Sequence, residues 1–183
     1  MLGNQRGNCS QRNSDLLQCR EFRQVGPPEG FVFNVGAHEW YHNYTTQQFL
    51  LGGLPDPVNT MLLQEPKWML EATAQWFAAE QASIYGWAAG VQVQREIAAT
   101  YEAPRFTDLK EWETNEGLGS YGLLPFIGDL LVEESSRTAF LRTYWEARAV
   151  TTEPWQTAFD KVFGVDVPTF YAKVKQRMID IAP

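Results

Sequence analysis

The chain contains two histidines, and they stand four residues apart in Gly36-Ala37-His38-Glu39-Trp40-Tyr41-His42-Asn43. The segment reads His-Glu-x-x-His. On a helix, residues i and i+4 lie on one face, one turn apart. Two imidazoles so placed converge on a single metal ion, each through a nitrogen at ~2.0–2.1 Å. Glu39 is displaced around the helix by one residue, which sets its carboxylate beside the water that a metal would activate. With only two His in 183 residues, random shuffling produces this arrangement in roughly one sequence in 1,000. The competing structural explanation is two ordinary histidines on a helix face, one satisfied by backbone and one by solvent.

A catalytic zinc ion keeps three protein ligands and one open position. There is no third His, so a carboxylate must complete the set. Glu71 is the best candidate, in Pro66-Lys-Trp68-Met-Leu70-Glu71-Ala72-Thr-Ala74-Gln75-Trp76-Phe77. It follows His42 in the first turns of the next strongly patterned helix. Two helices joined by a loop can pack antiparallel and bring Glu71 opposite the His pair. Its alternative is a solvated helix Glu that lies there by accident.

These motifs together resemble the gluzincin metallopeptidases, and among them the bacterial peptidase MA-like domains. In such families a Trp-Leu-x-Glu-Gly-x-Ala helix with an aromatic pair follows the His-Glu-x-x-His helix. Downstream, Tyr121-Gly-Leu-Leu-Pro-Phe-Ile-Gly-Asp-Leu-Leu is similar to their Tyr-containing helix. Ala158-Phe-Asp-Lys-Val-Phe-Gly-Val-Asp-Val-Pro-Thr-Phe-Tyr is similar to their Phe-Gly-x-x-x-x-x-Phe ending. The resemblance spans about residues 31–180 and implies a zincin-like helical catalytic domain that cleaves a peptide or protein substrate. It implies Zn2+ on His38, His42 and Glu71, with Glu39 as general base and then general acid. It also implies Tyr121 as a donor to the developing oxyanion; by residue type alone, Tyr121 reads as readily as an ordinary rim tyrosine. The chain departs from the pattern at Ala72, where Gly is common, and at Leu130-Leu131, where Tyr-Leu is common. The family's β-sheet upstream of the His pair, whose edge strand aligns the peptide, has little sequence to occupy here, so a minimal or truncated version is expected. No Gly-x-Met-Glu-Asn amine-recognition motif is present, which disfavours aminopeptidase activity.

Each imidazole needs a partner on its second nitrogen. Asn43, Gln75 and Asp129 qualify by residue type, and each is also an ordinary packing or surface residue. Trp40, Tyr41, Tyr44, Trp68, Trp76 and Trp87 read mostly as core, with one or two available to line a subsite. Glu133-Glu134 reads as a solvated helix end.

The elements that must position these groups follow from pattern and punctuation. The fold class expected is mainly α, with at most a short β element near the N-terminus. Residues 1–30 read as a polar arm closed by Gly26-Pro27-Pro28-Glu29-Gly30. Phe31–Val35 reads as a short strand or a helix entry, with Asn34 as N-cap. Helices are expected over 35–51, 66–85, 87–100, 107–112, 120–134 with a kink at Pro125, and 138–150. Two more follow, one capped by Thr152 and ended by Gly164, and a last from Asp166-Pro168 to Ile181. Residues 31–183 form one domain. Cys9 and Cys19 either pair in a short disulfide loop or remain free thiols.

Composition sets the outer bounds. Hydrophobic residues make up 44% and charged residues 20%, which fits a globular chain and excludes collagen-like or disordered types. A formal net charge of −7 with no basic run argues against nucleic acid or an anionic membrane as partner. No apolar stretch reaches the ~18–20 residues of a membrane span. No signal peptide is visible at the N-terminus, while family habit and the cysteine pair lean towards an extracytoplasmic setting. Beside the peptidase stand two alternatives. One is a degenerate domain that binds zinc or peptide without turnover, and the other a helical interaction domain with no metal.

Overall fold

The computed structural model describes residues 28–54, 64–114 and 120–183, with side chains from residue 34 onward. The described residues are mainly helical and contain no strand. Helix α1 spans Pro28–Leu51, α2 Lys67–Ile84, α3 Ala88–Tyr101, α4 Leu124–Glu134, α5 Tyr144–Arg148, α6 Trp155–Phe163 and α7 Val167–Ile181. Short 3₁₀ turns cover Ala103–Arg105 and Leu109–Glu113, and a π-turn covers Ala139–Thr143.

Several boundaries correct the sequence expectation. Phe31–Val35 is helix, and Asn34 lies inside α1 rather than at its cap. Proline has no N–H to leave unpaired in a first turn and its φ is already helical, so Pro28 can begin the element that the breaker cluster was expected to delay. The polar arm therefore reaches at most residue 27. Cys9 and Cys19 and the rest of that arm lie outside the described residues. Pro66 stands just before α2 in extended conformation, not inside it. Pro125 does not kink a helix from residue 120; it sits in the first turn of α4, where its missing donor costs nothing. Tyr121 is consequently on a turn. Thr152 does not cap α6, which starts after Pro154. By contrast Asp166 caps α7, its carboxylate accepting from Thr169 N at 2.7 Å. Gly164 ends α6 at φ +72°, a left-handed conformation that favours glycine.

Helix α2 is the axis of the molecule. Trp68 through Ala74 are buried without a break, so its first two turns are covered on every side. Alanines at 72, 74, 78, 79 and 82 are buried as well and keep the helix thin enough for neighbours to approach. Its most extensive contact is with α1, followed by α4. The approach of α4 depends on Gly128, where a Cβ would sit 2.5 Å from Trp76 Cδ1.

Two anchors fix the start of α2. At its start, Trp68 stacks on Phe170 of α7 with ring centroids 5.8 Å apart and donates to Tyr171 Oη at 3.0 Å. Just before it, Glu65 is fully buried with Arg148, which donates Nε–H to Glu65 Oε1, while Tyr144 donates to Oε2 at 2.6 Å. Helix α1 is held by Tyr41, whose hydroxyl donates to the Leu141 carbonyl in the π-turn at 2.5 Å. No described helix is long and apolar enough to cross a membrane.

Candidate metal centre

The buried face of α1 carries His38, Tyr41, Thr45 and Phe49, the i, i+3, i+7, i+11 stripe of a helix packed on one side. That stripe carries His38 into the interface with α2, and His42, one turn on, lies beside it half-buried. On α2 the facing stripe is Lys67, Glu71 and Gln75, spaced by four. His38 meets Gln75 and Glu71, and His42 meets Glu71, so the two helices run antiparallel.

Three ligand-type atoms converge. His38 Nε2 and His42 Nε2 are 3.0 Å apart. Glu71 Oε2 lies 3.1 Å from the first and 3.5 Å from the second. Atoms bonded to one tetrahedral ion at ~2.0–2.1 Å stand roughly 3.3–3.4 Å from one another. The observed triangle is close to one face of that tetrahedron. Among the described residues, His38, His42 and Glu71 are the group of ligand-type side chains able to share an ion.

The surrounding contacts prepare these atoms. Gln75 Oε1 lies 3.0 Å from His38 Nδ1. An amide oxygen accepts, so Nδ1 carries a proton and Nε2 is the nitrogen aimed at the cluster, able to bind a metal in place of any proton it shares with Glu71. Lys67 Nζ is 2.5 Å from Glu71 Oε1, which occupies one carboxylate oxygen and leaves Oε2 for the histidines. Burial alone would raise the Glu71 pKa, but hydrogen bonds to His38, His42 and Lys67 outweigh it and hold the carboxyl well below the usual range. Gln75 thus takes the supporting role expected of one of three candidates. Asn43 instead donates to the Glu39 backbone carbonyl at 3.0 Å. Asp129 accepts from Trp76 Nε1 at 2.8 Å and pairs with Arg95, tying α4 to α2 and α3.

Glu39 is exposed and, with the cluster, lines a cavity of about 890 Å³. Tyr121 lines the same cavity, 49% exposed, its ring 6.1 Å from that of His38. Burial and the nearby Glu71 and Glu39 carboxylates push its pKa up, so the phenol stays a donor at neutral pH. The structure therefore brings all five predicted site residues to one cavity. None of the six core-type aromatics lines it. Trp40 is not core either; it is 57% exposed and stacks on Tyr44 and Phe77 at the outer edge of the α1–α2 pair. Lys67 was not singled out from sequence, although its i, i+4 relation to Glu71 was a readable signal.

Comparison with protein-family models, curated proteins and solved structures gives no match for this chain.

Proposed function

We propose that this chain is a zinc-dependent metallopeptidase of gluzincin type, with His38, His42 and Glu71 as the metal ligands. The observation that carries this is the triangle of two Nε2 atoms and Glu71 Oε2 at 3.0, 3.1 and 3.5 Å, beside an exposed Glu39 on a substrate-sized cavity. Two imidazoles and one carboxylate suit Zn2+ better than an oxygen-preferring ion. Zinc held there supplies Lewis acidity, making water nucleophilic near neutral pH and polarising a carbonyl.

The chain's own residues do the rest. Gln75 fixes the His38 tautomer, and Lys67 holds the Glu71 carboxylate by its outer oxygen. Glu39 removes a proton from water as the new carbon–oxygen bond forms. It returns that proton to the nitrogen as the carbon–nitrogen bond breaks. Tyr121 donates a hydrogen bond to the carbonyl oxygen as negative charge gathers on it.

One observation favours a second reading, a domain that binds zinc or peptide without turnover. The described residues hold no strand with which an extended peptide could pair. Zinc analysis of the purified full chain and hydrolysis of a peptide library separate the two. About one zinc per chain is expected, lost in His42→Ala. Glu39→Gln is expected to keep the zinc and to lose hydrolysis by about 10²–10⁴-fold. Zinc retained with no hydrolysis in the unsubstituted chain supports the binding reading, and no zinc at all sinks both.

A further inference from the structure

We propose that the cavity holds a cation-recognising subsite at Glu102, so that the peptides this protein binds carry a basic side chain or a free amino terminus. The inference deepens the peptidase reading above, and it rests on that reading only for where the bound peptide would be cut.

Glu102 directly follows the last residue of α3 and lines the same cavity as His38, Glu39, Glu71 and Tyr121. It is half-buried. Among the described residues its hydrogen-bond partner is the Ser120 hydroxyl, which donates to Oε2. No Lys, Arg or His among the described residues lies within ion-pair distance of it. Nearby, Glu71 is paired with Lys67, Asp129 with Arg95 and Glu80 with Arg137, while Glu39 and Glu96, which have no such pair among the described residues, are exposed to water. Lys67, the cation on this cavity's wall, is committed to Glu71. A half-buried carboxylate on an apolar cavity wall with no cation beside it attracts a cationic ligand more strongly than one in open water would.

The turn beside it is shaped to admit the carboxylate. A Cβ at Gly122 would collide with Glu102 Oε2 and would sit 2.9 Å from Ala98 Cβ. Glycine there lets the carboxylate lie against the turn next to Tyr121. Gln94 and Ile97 on α3 line the same cavity, giving a wall along which the aliphatic stem of Lys or Arg can lie while its charged end reaches Glu102.

The test uses the full chain, zinc-loaded and metal-free, titrated with peptides carrying a fluorophore at the carboxyl end. The peptides differ only in Lys, Arg or norleucine on either side of the central bond, and in a free or acetylated amino terminus. Fluorescence anisotropy reads binding. A basic or free-amine peptide is expected to bind at least about tenfold tighter than its neutral counterpart. Which pair shows the preference tells side chain from amino terminus. Glu102→Gln keeps an acceptor for Ser120 and removes the charge, so the ratio should fall towards one. Ser120→Ala keeps the charge and should keep the ratio. Equal binding of charged and neutral peptides overturns the proposal. So does a ratio that survives Glu102→Gln, or one lost as fully in Ser120→Ala, which would make the carboxylate a brace. Cleavage of the same peptides is read separately. Charge-selective binding without cleavage removes the peptidase reading and keeps the subsite, whereas cleavage without charge selectivity does the reverse.

Discussion

His38 shows how much chemistry one side chain takes from its neighbours. Its Nδ1 is engaged by Gln75 and its Nε2 faces His42 and Glu71. Gln75→Ala should therefore weaken zinc binding by about 10–100-fold, measured by competition with a chelating dye, because the tautomer is no longer fixed. Glu71 makes a second prediction, for the metal-free protein. Its folded pKa is depressed by His38, His42 and Lys67 against the pull of burial. The unfolded chain therefore binds the proton first. The contribution to stability is present above the unfolded value of ~4.3 and is lost as pH falls below it. A urea midpoint series should show a loss of stability below that pH that is smaller in Glu71→Gln. The local part of this site was legible in sequence, since spacings of four on one helix are fixed by its pitch. Gln75 could not be chosen over Asn43 or Asp129 in advance, because all three have the right chemistry and only the register of α2 against α1 distinguishes them.

Helix α2 carries one of the three proposed ligands, Glu71, and its placement depends on anchors far away in sequence. Glu65 and Arg148 form a fully buried pair, with Tyr144 as a further donor. Removing one partner strands a charge, so Arg148→Met should cost about 3–5 kcal/mol by denaturant unfolding. The double substitution Glu65→Leu with Arg148→Met should recover part of that, since an apolar pair leaves no unmatched charge. A structure in which Arg148→Met unfolds at the wild-type midpoint would disprove the anchoring role. Such a pair is invisible in sequence, where both residues look like ordinary surface charges. Proline gave mixed guidance. Pro168 was placed correctly in the first turn of α7, but Pro125 looked like a kink and instead opens α4. The same ring chemistry permits both, and the residues packed around it decide.

For the molecule as a whole, the metal and the fold should be thermodynamically linked. The proposed ligands come from α1 and α2, so the unfolded chain does not hold them together. Free zinc at a hundred times its dissociation constant adds about 2.7 kcal/mol to the folded state. For a chain of this length that raises Tm by about 5–10 °C in a calorimetric scan, and His42→Ala should show no such rise. The formal net charge of −7 is consistent with a preference for basic peptides at long range, which added salt should weaken.

The sequence by itself determined what is local. It specified a mainly helical chain, the His-Glu-x-x-His turn, the carboxylate on the next strong helix, the stop at Gly164 and the start at Asp166. Each of these depends on residues within one or two turns of one another. Tertiary structure alone decided which helices meet and in what register. It turned Glu71 towards the histidines and gave Lys67 its outer oxygen. It moved Tyr121 onto a turn at the cavity edge and left Glu102 there with no cation beside it among the described residues. Those outcomes are set by packing between segments far apart in the chain, through Trp68 on Phe170, Tyr41 on the π-turn and Gly128 under Trp76. Residue spacing along a chain carries no record of such contacts.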